Sequence, residues 1–430
     1  MIMRIEPATR LSGELSVPGD KSISHRYALF GAMAEGQTAI SNFSSSADCH
    51  STLHCIEELG VQVNVKGSSV TIQSPGWQGL RAPSRQLDAG NSGTTIRMLS
   101  ALLAAQPFET VIAGDASLNR RPMERIVTPL TRMGASIETA EGGLPPLKIR
   151  GGGLHGIRYD LPVASAQVKS CVLLAGLMAE GETTVVERIQ TRDHTERALP
   201  IFGAPFRQNG TDLSVKGPSR LTGATVRVVG DVSSAIFFVV AALLVRDSSI
   251  MLQGIGANPS RTGLLELLLE SGANIHRLET TVASGEPVSD LRVSYDPGLL
   301  ARFPNVVEGD VIPNLIDEIP ILAVLGTQLE QGLAVRDASE LRKKESDRIH
   351  SVVSNLRNLG VMVEEFQDGF RIPGKQKIRG GQVKTYGDHR IAMAFAVAGL
   401  ISEEGVSLDD PDCAAVSFPA FYKCLDSLHH

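Results

Sequence analysis

At 430 residues the chain is too long for one ordinary hydrophobic core, and a domain-size prior of roughly 100 to 200 residues points to two or three domains, two being the expectation. Its 42% hydrophobic and 20% charged residues argue against a disordered chain, and a formal net charge of −6 argues against a broad nucleic-acid-binding face. The segment MIMRIEPATR lacks the apolar core of a signal peptide, and the longest apolar run, Ala235 to Val245, is too short for a bilayer.

A soluble cytoplasmic protein with no membrane and no nucleic-acid partner is therefore expected. Five scattered cysteines, Cys49, Cys55, Cys171, Cys413 and Cys424, include no CxxC pair, which suggests reduced thiols and neither a disulfide framework nor a metal site.

Taken in chain order, the elements repeat. A polar, cap-type residue opens a helix-length apolar stretch six times: after Asp20 (KSISHRYALFGAMAEG), from Asn91 (NSGTTIRMLSALLAA), from Ser165 (SAQVKSCVLLAGLMAEG), from Asp231 (DVSSAIFFVVAALLV), from Asp317 (DEIPILAVLGTQLEQG) and from Asp388 (DHRIAMAFAVAGLISEEG). The starts lie about 65 to 85 residues apart. These stretches are apolar nearly all round and predict buried helices. A second, amphipathic helix follows in most repeats and ends at a glycine before a β-branched run, as in TLHCIEELGVQVNV, MERIVTPLTRMGASI, TGLLELLLESGANI and DRIHSVVSNLRNLGVMVEE. Six units divide evenly into three per domain, with a border near Val228 to Asp231.

The loops that open the apolar helices carry charge. Lys21, Ser22 and Arg26 place two cations and a hydroxyl around one helix start, where unpaired N–H groups already favour an anion. The glycine-rich LDAGNSGTTIR allows a ligand close to the backbone and is not a Walker loop. Arg120, Arg121 and Arg125 cluster where Pro122 suits a helix N1 position. VASAQVKS supplies Ser165, Gln167 and Lys169, and TRDHTE supplies Arg192 and His194. In ELRKKESDRI, Lys344 and Arg348 are spaced to share a helix face with Glu345 beside them, and Asp388, His389 and Arg390 open the last apolar helix. For each single loop, helix capping or a solvated charged face remains the plainer alternative.

Together these segments resemble a known family. GDKSISHR, GNSGTTIR, RRPMERIV, SAQVKS, TRDHTE, the Asp of LIDEIP, KKESDR and YGDHRIAMAFA follow in the order found in 5-enolpyruvylshikimate-3-phosphate synthases, and the likeness covers essentially the whole chain. It implies an α/β fold, a two-domain inside-out α/β barrel (the enolpyruvyl transferase fold) of six βαβαββ-type repeats, three per domain. Residues 19–228 would form a domain that mainly binds shikimate 3-phosphate. Residues 1–18 and 229–430 would form the domain that completes the phosphoenolpyruvate site, with hinge crossovers near 16–20 and 226–232.

The resemblance further implies that Lys21, Ser22, Arg26, Ser165, Ala166, Gln167 and Arg192 bind shikimate 3-phosphate, and that Asp317 and Lys344 meet its ring hydroxyls. Phosphoenolpyruvate would lie against Lys21, Gly93, Arg121, Gln167, Arg348 and Arg390, with Asn91 and Thr94 as further binding positions. Asp317 would act as base, Glu345 as acid, and Lys21 and His389 would share the proton traffic of an addition and elimination through a tetrahedral ketal. No metal or organic cofactor is expected, and the family default is a monomer.

In one branch of that family a lysine stands in a KTFP context near the C-terminus, where this chain has Val416; SAQVKS and TRDHTE resemble the second branch. Gly93 predicts room for glyphosate, and sensitivity to it stays open. Three other readings are weighed: the sister transferase acting on UDP-N-acetylglucosamine, whose usual loop cysteine has no counterpart in GDASLNRRPMER; a non-catalytic phosphometabolite sensor; and RNA-end processing.

Overall fold

A computed structural model describes residues 2–429. Six helices that are buried on nearly every side stand where the apolar stretches predict them: Lys21–Met33, Gly93–Ala104, Ala166–Met178, Val232–Leu244, Ile319–Gly326 and His389–Leu400. Five of them start on a side-chain cap, in which Asp20, Ser92, Ser165, Asp231 or Asp388 accepts a first-turn N–H.

Two of the expected caps differ. Ser92, not Asn91, caps the second helix, its Oγ 3.0 Å from the amide of Thr95. The fifth helix begins one residue later than expected, on Glu318, without a side-chain cap, because Pro320 occupies its first turn and needs no donor satisfied there. Asp317 thus stands outside the helix with its carboxylate available to other partners.

The outer helices Ala47–Glu58, Glu124–Arg132, Gly263–Glu270 and Arg348–Asn358 end as the sequence predicts and lead into short strands. Gly60 and Gly360 sit at φ 89° and 84°, which a side chain would strain. Pro122 does not open its helix. A short 3-10 turn, Leu118–Arg120, precedes it, and the α-helix starts at Glu124.

The chain divides into two compact units. Unit 2 comprises Gly19–Val228 and Ala283–Glu286; unit 1 comprises the chain up to Pro18, Val229–Val282 and Pro287 onward. In unit 2 the first three buried helices pack on one another inside three four-stranded sheets. One repeat reads strand Leu87–Asp88, helix Gly93–Ala104, strand Glu109–Ala113, helix Glu124–Arg132 and the strands Ser136–Ala140 and Leu144–Arg150, the βαβαββ order. Its sheet pairs the first strand parallel to the second and the rest antiparallel.

Unit 1 packs the other three buried helices on one another within a five-, a four- and a three-stranded sheet. Two leading strands are exchanged between repeats. Ser12–Ser16, which precedes the first buried helix, pairs parallel with Ser249–Gly256 in unit 1, whereas Thr225–Arg227, which precedes the fourth, pairs parallel with Glu35–Ser41 in unit 2. The sixth repeat is abridged: its sheet is completed by Met3–Ile5, antiparallel to Val406–Leu408. Among the described residues no helix is long and apolar enough to cross a membrane.

Candidate active site

In unit 2 the charged side chains gather at the starts of the buried helices. Lys21, the first helical residue, sets its Nζ 2.8 Å from Asp48 Oδ2. Ser22 Oγ accepts from Arg192 Nη1 at 3.4 Å. Arg26, one turn further on, is buried at 2% exposure, and its guanidinium bonds Thr195 Oγ1 at 2.7 Å, Ser170 Oγ at 2.8 Å and the Ser22 carbonyl at 2.8 Å. Burial pushes Arg26 down to about 10, against the pull of Glu196. All three of its nitrogens have protein partners, so Arg26 ties the first turn of its helix, through the Ser22 carbonyl, to Thr195 and Ser170.

The glycine-rich loop is built around arginines. Gln167 Nε2 donates to Thr94 Oγ1 at 3.0 Å, and Gln167 Oε1 accepts from Arg97 Nη1 at 2.8 Å. Asn91 Oδ1 accepts from Arg121 Nη2 at 3.1 Å while its amide donates to Asp115. Gly93 lies under both arginines: a Cβ there would stand 2.8 Å from Arg97 Nη1 and 3.6 Å from Arg121 Nη1. Ser165 caps its helix and Ala166 is the first helical residue, so their backbone amides belong to the exposed positive end of that helix.

Two motif residues serve the interior. Lys169 is fully buried, with its Nζ 2.9 Å from Glu187 and 2.6 Å from Glu196. Burial pushes the Glu196 carboxyl up against the attraction of Lys169. His194 Nδ1 lies 2.7 Å from Glu286 Oε1 with both side chains buried.

In unit 1 one guanidinium organises three carboxylates. Arg348, 1% exposed, donates through Nε to Asp388 Oδ2 at 2.8 Å, through Nη1 to Asp317 Oδ1 at 3.1 Å and through Nη2 to Glu345 Oε2 at 2.5 Å. Lys344 Nζ reaches the same Asp317 oxygen at 3.3 Å. Burial alone would lower Arg348, but Asp388, Glu345 and Asp317 outweigh it and hold the guanidinium firmly charged. Burial pushes the Asp388 carboxyl up, and the Arg348 charge overrides it, so Asp388 ends below the ordinary carboxylate range.

The shared helix face expected for Lys344 and Arg348 does not form. Lys344 closes a 3-10 turn, Ser339–Lys343, and the α-helix starts only at Arg348 behind the cap Asp347. The two cations meet on Asp317 across a non-helical loop instead. His389 and Arg390 are buried in the first turn of their helix, and Arg390 Nη1 stands 3.6 Å from Glu318 Oε1.

Three contributors carry no clear signal in the sequence. Arg97 is hidden inside GNSGTTIR, and only its position one helical turn after Gly93 hints at it. Asp48 and Glu318 enter through contacts between residues far apart in the chain. The thiols stay out of the chemistry: burial pushes Cys49, Cys55 and Cys413 up to about 12, which leaves negligible thiolate at neutral pH.

The sequence matches the family described as EPSP synthase (3-phosphoshikimate 1-carboxyvinyltransferase) over residues 5–425. It is 52% identical over 428 residues to the 3-phosphoshikimate 1-carboxyvinyltransferase of Solibacter usitatus, covering 100% of both chains. It is 45% identical to that of Bacillus subtilis, covering 99% of each. The EPSP synthase of Acinetobacter baumannii shares the fold at a TM-score of 0.85 and 41% identity, with 100% of this chain and 98% of that one covered. The enolpyruvyl transferase NikO from Streptomyces tendae matches at a TM-score of 0.80 and 18% identity over 99% and 97% of the two chains, a likeness of fold alone. The chain belongs to the EPSP synthase (3-phosphoshikimate 1-carboxyvinyltransferase) family.

Proposed function

We propose that the chain transfers the enolpyruvyl group of phosphoenolpyruvate to the 5-hydroxyl of shikimate 3-phosphate and releases phosphate, a step of aromatic amino-acid biosynthesis. The observation that carries this reading is the cluster in which Arg348 holds Asp317 and Glu345 together, with Lys344 on the Asp317 oxygen. Two carboxylates held by cations stay ionised at rest. When an anionic substrate engages those cations, the hold on each carboxylate weakens and its proton affinity rises.

In this reading Asp317 takes the proton of the 5-hydroxyl as its oxygen bonds the central carbon of phosphoenolpyruvate. Glu345, which takes up a proton as the substrate engages its cations, passes it to the methylene, which becomes a methyl group on a tetrahedral ketal. In the elimination Glu345 takes a proton back from the methyl group, the bond from carbon to phosphate oxygen breaks, and phosphate leaves with the proton that Asp317 accepted. Lys21 and His389 are assigned as proton partners. Shikimate 3-phosphate is assigned Lys21, Ser22, Arg26, Ser165, Ala166, Gln167 and Arg192, with Asp317 and Lys344 at its ring hydroxyls. Phosphoenolpyruvate is assigned Lys21, Gly93, Arg121, Gln167, Arg348 and Arg390, with Asn91 and Thr94 as further binding positions.

A monomer, the family default, working in the cytoplasm completes the reading. The sensor alternative is opposed by the presence of both carboxylates in one cation-bound cluster. A steady-state assay of phosphate release with both substrates tests the reading, repeated on Asp317→Asn. Wild-type turnover, lost by about 10²-fold or more in the variant, is expected. An idle wild-type chain, or a variant of near-normal rate, would overturn it.

A further inference from the structure

Beside the Arg348 cluster, unit 1 holds a second network of charge at the starts of its three buried helices. Arg261, 5% exposed, donates through Nη2 to Ser233 Oγ at 2.6 Å and lies 3.4 Å from Asp231 Oδ1. Ser233 in turn donates to Glu318 Oε1, and that same carboxylate oxygen stands 3.6 Å from Arg390 Nη1. Asp231, Arg261, Glu318 and Arg390 thus alternate in sign through successive contacts, with the Ser233 hydroxyl bridging Arg261 and Glu318. Ser233 lies on the Val232–Leu244 helix, Glu318 caps Ile319–Gly326 and Arg390 opens His389–Leu400.

Two features separate Glu318 from an ordinary buried ion pair. First, it is only 3% exposed, yet its Oε2 has no hydrogen-bond partner among the described residues. Second, Arg390 Nη1 also makes no hydrogen bond there; the pair is held at 3.6 Å by charge rather than by a two-pronged contact. A structural arginine–carboxylate pair in a dry site gains most from the fork geometry, and this one forgoes it. The arrangement fixes where the guanidinium sits and leaves Nη1 able to donate to a further anion.

We infer that Glu318 is a positioning residue that orients Arg390 toward the carboxylate or phosphate of phosphoenolpyruvate, with Ser233 and Arg261 setting the position of Glu318 itself. The inference rests on the proposed reaction. Without the Glu318 charge, Arg390 loses its anchor and the three-carbon anion loses a preoriented partner, whereas the contacts assigned to shikimate 3-phosphate are untouched.

Steady-state kinetics on Glu318→Gln and Ser233→Ala, with each substrate varied in turn, test this. Glu318→Gln is expected to raise KM for phosphoenolpyruvate about tenfold with KM for shikimate 3-phosphate within twofold of wild type, and Ser233→Ala to shift the same constant in the same direction by less. Combining Glu318→Gln with Arg390→Lys should cost less than the product of the single effects, because both act through one guanidinium. If Glu318→Gln fails to fold, Ser233→Ala and its cycle with Arg390→Lys carry the same expectation. An active wild-type chain whose variants keep KM for phosphoenolpyruvate, or raise both KM values together as the melting temperature falls, overturns this inference alone. A wild-type chain idle with both substrates overturns the functional reading beneath it.

Discussion

Arg348 and Asp388 form an ion pair of 2.8 Å whose side chains are 1% and 0% exposed, and Asp388 also accepts the amide of Arg390 at 2.9 Å and Ser346 Oγ at 3.0 Å. One carboxylate therefore caps the last buried helix and anchors the guanidinium on which Asp317 and Glu345 meet. Removing its charge leaves Arg348 buried beside a neutral partner. Asp388→Asn keeps a cap-competent side chain and isolates the charge, so it should destabilise the chain by about 3 to 5 kcal/mol. Urea denaturation checks this; a loss below about 1 kcal/mol would mean that Asp317 and Glu345 suffice for Arg348.

Glu345→Gln keeps the shape of the side chain and removes its ability to carry a proton. Shikimate 3-phosphate should bind this variant as it binds the wild type, while kcat falls by about 10² to 10⁴-fold. Calorimetric titration beside steady-state kinetics separates the two effects, and near-normal turnover would remove Glu345 from the chemistry.

Gly93→Ala would place a methyl group 2.8 Å from Arg97 Nη1. That nitrogen is the flexible end of a side chain, so the backbone can stay, but the Arg97 contact with Gln167 at 2.8 Å must yield. KM for phosphoenolpyruvate is expected to rise about tenfold, the size of one lost charge-assisted hydrogen bond, with little change in melting temperature. An unaltered KM would show that Arg97 moves aside without consequence.

Stability should also depend on His25. It is fully buried, its Nδ1 2.7 Å from Thr52 Oγ1, and burial followed by the charges of Lys21 and Arg26 holds the imidazole well below its ordinary range. The folded value lies below the unfolded one of about 6.5, so between them the unfolded chain binds more protons. The contribution is full above about pH 6.5 and is lost as pH falls toward the folded value, by up to about 1.4 kcal/mol per unit. Unfolding midpoints at acid and neutral pH should therefore differ more in wild type than in His25→Asn; equal differences would contradict this.

The six buried helices were legible because two local signals coincide in each: apolar residues on every side, and a capping letter in front. The same locality misled where a neighbour intervened. Pro320 moved the fifth helix past Asp317, and the 3-10 turn before Lys344 broke the helical spacing that pairs it with Arg348. Roles set by distant partners left no trace in the sequence. Lys169 and His194 look like binding residues within their motifs, and only the fold brings Glu187, Glu196 and Glu286 against them. Arg97 and Glu318 sit beside conspicuous residues, and their function depends on Gln167 and Arg390 lying across from them.

The most direct test is to measure phosphate release from phosphoenolpyruvate with shikimate 3-phosphate as acceptor and, in parallel, with UDP-N-acetylglucosamine. Release with shikimate 3-phosphate alone is the predicted result. Release with the nucleotide sugar alone would move the activity to the sister transferases, and silence with both would contradict catalysis by the Asp317 and Glu345 pair.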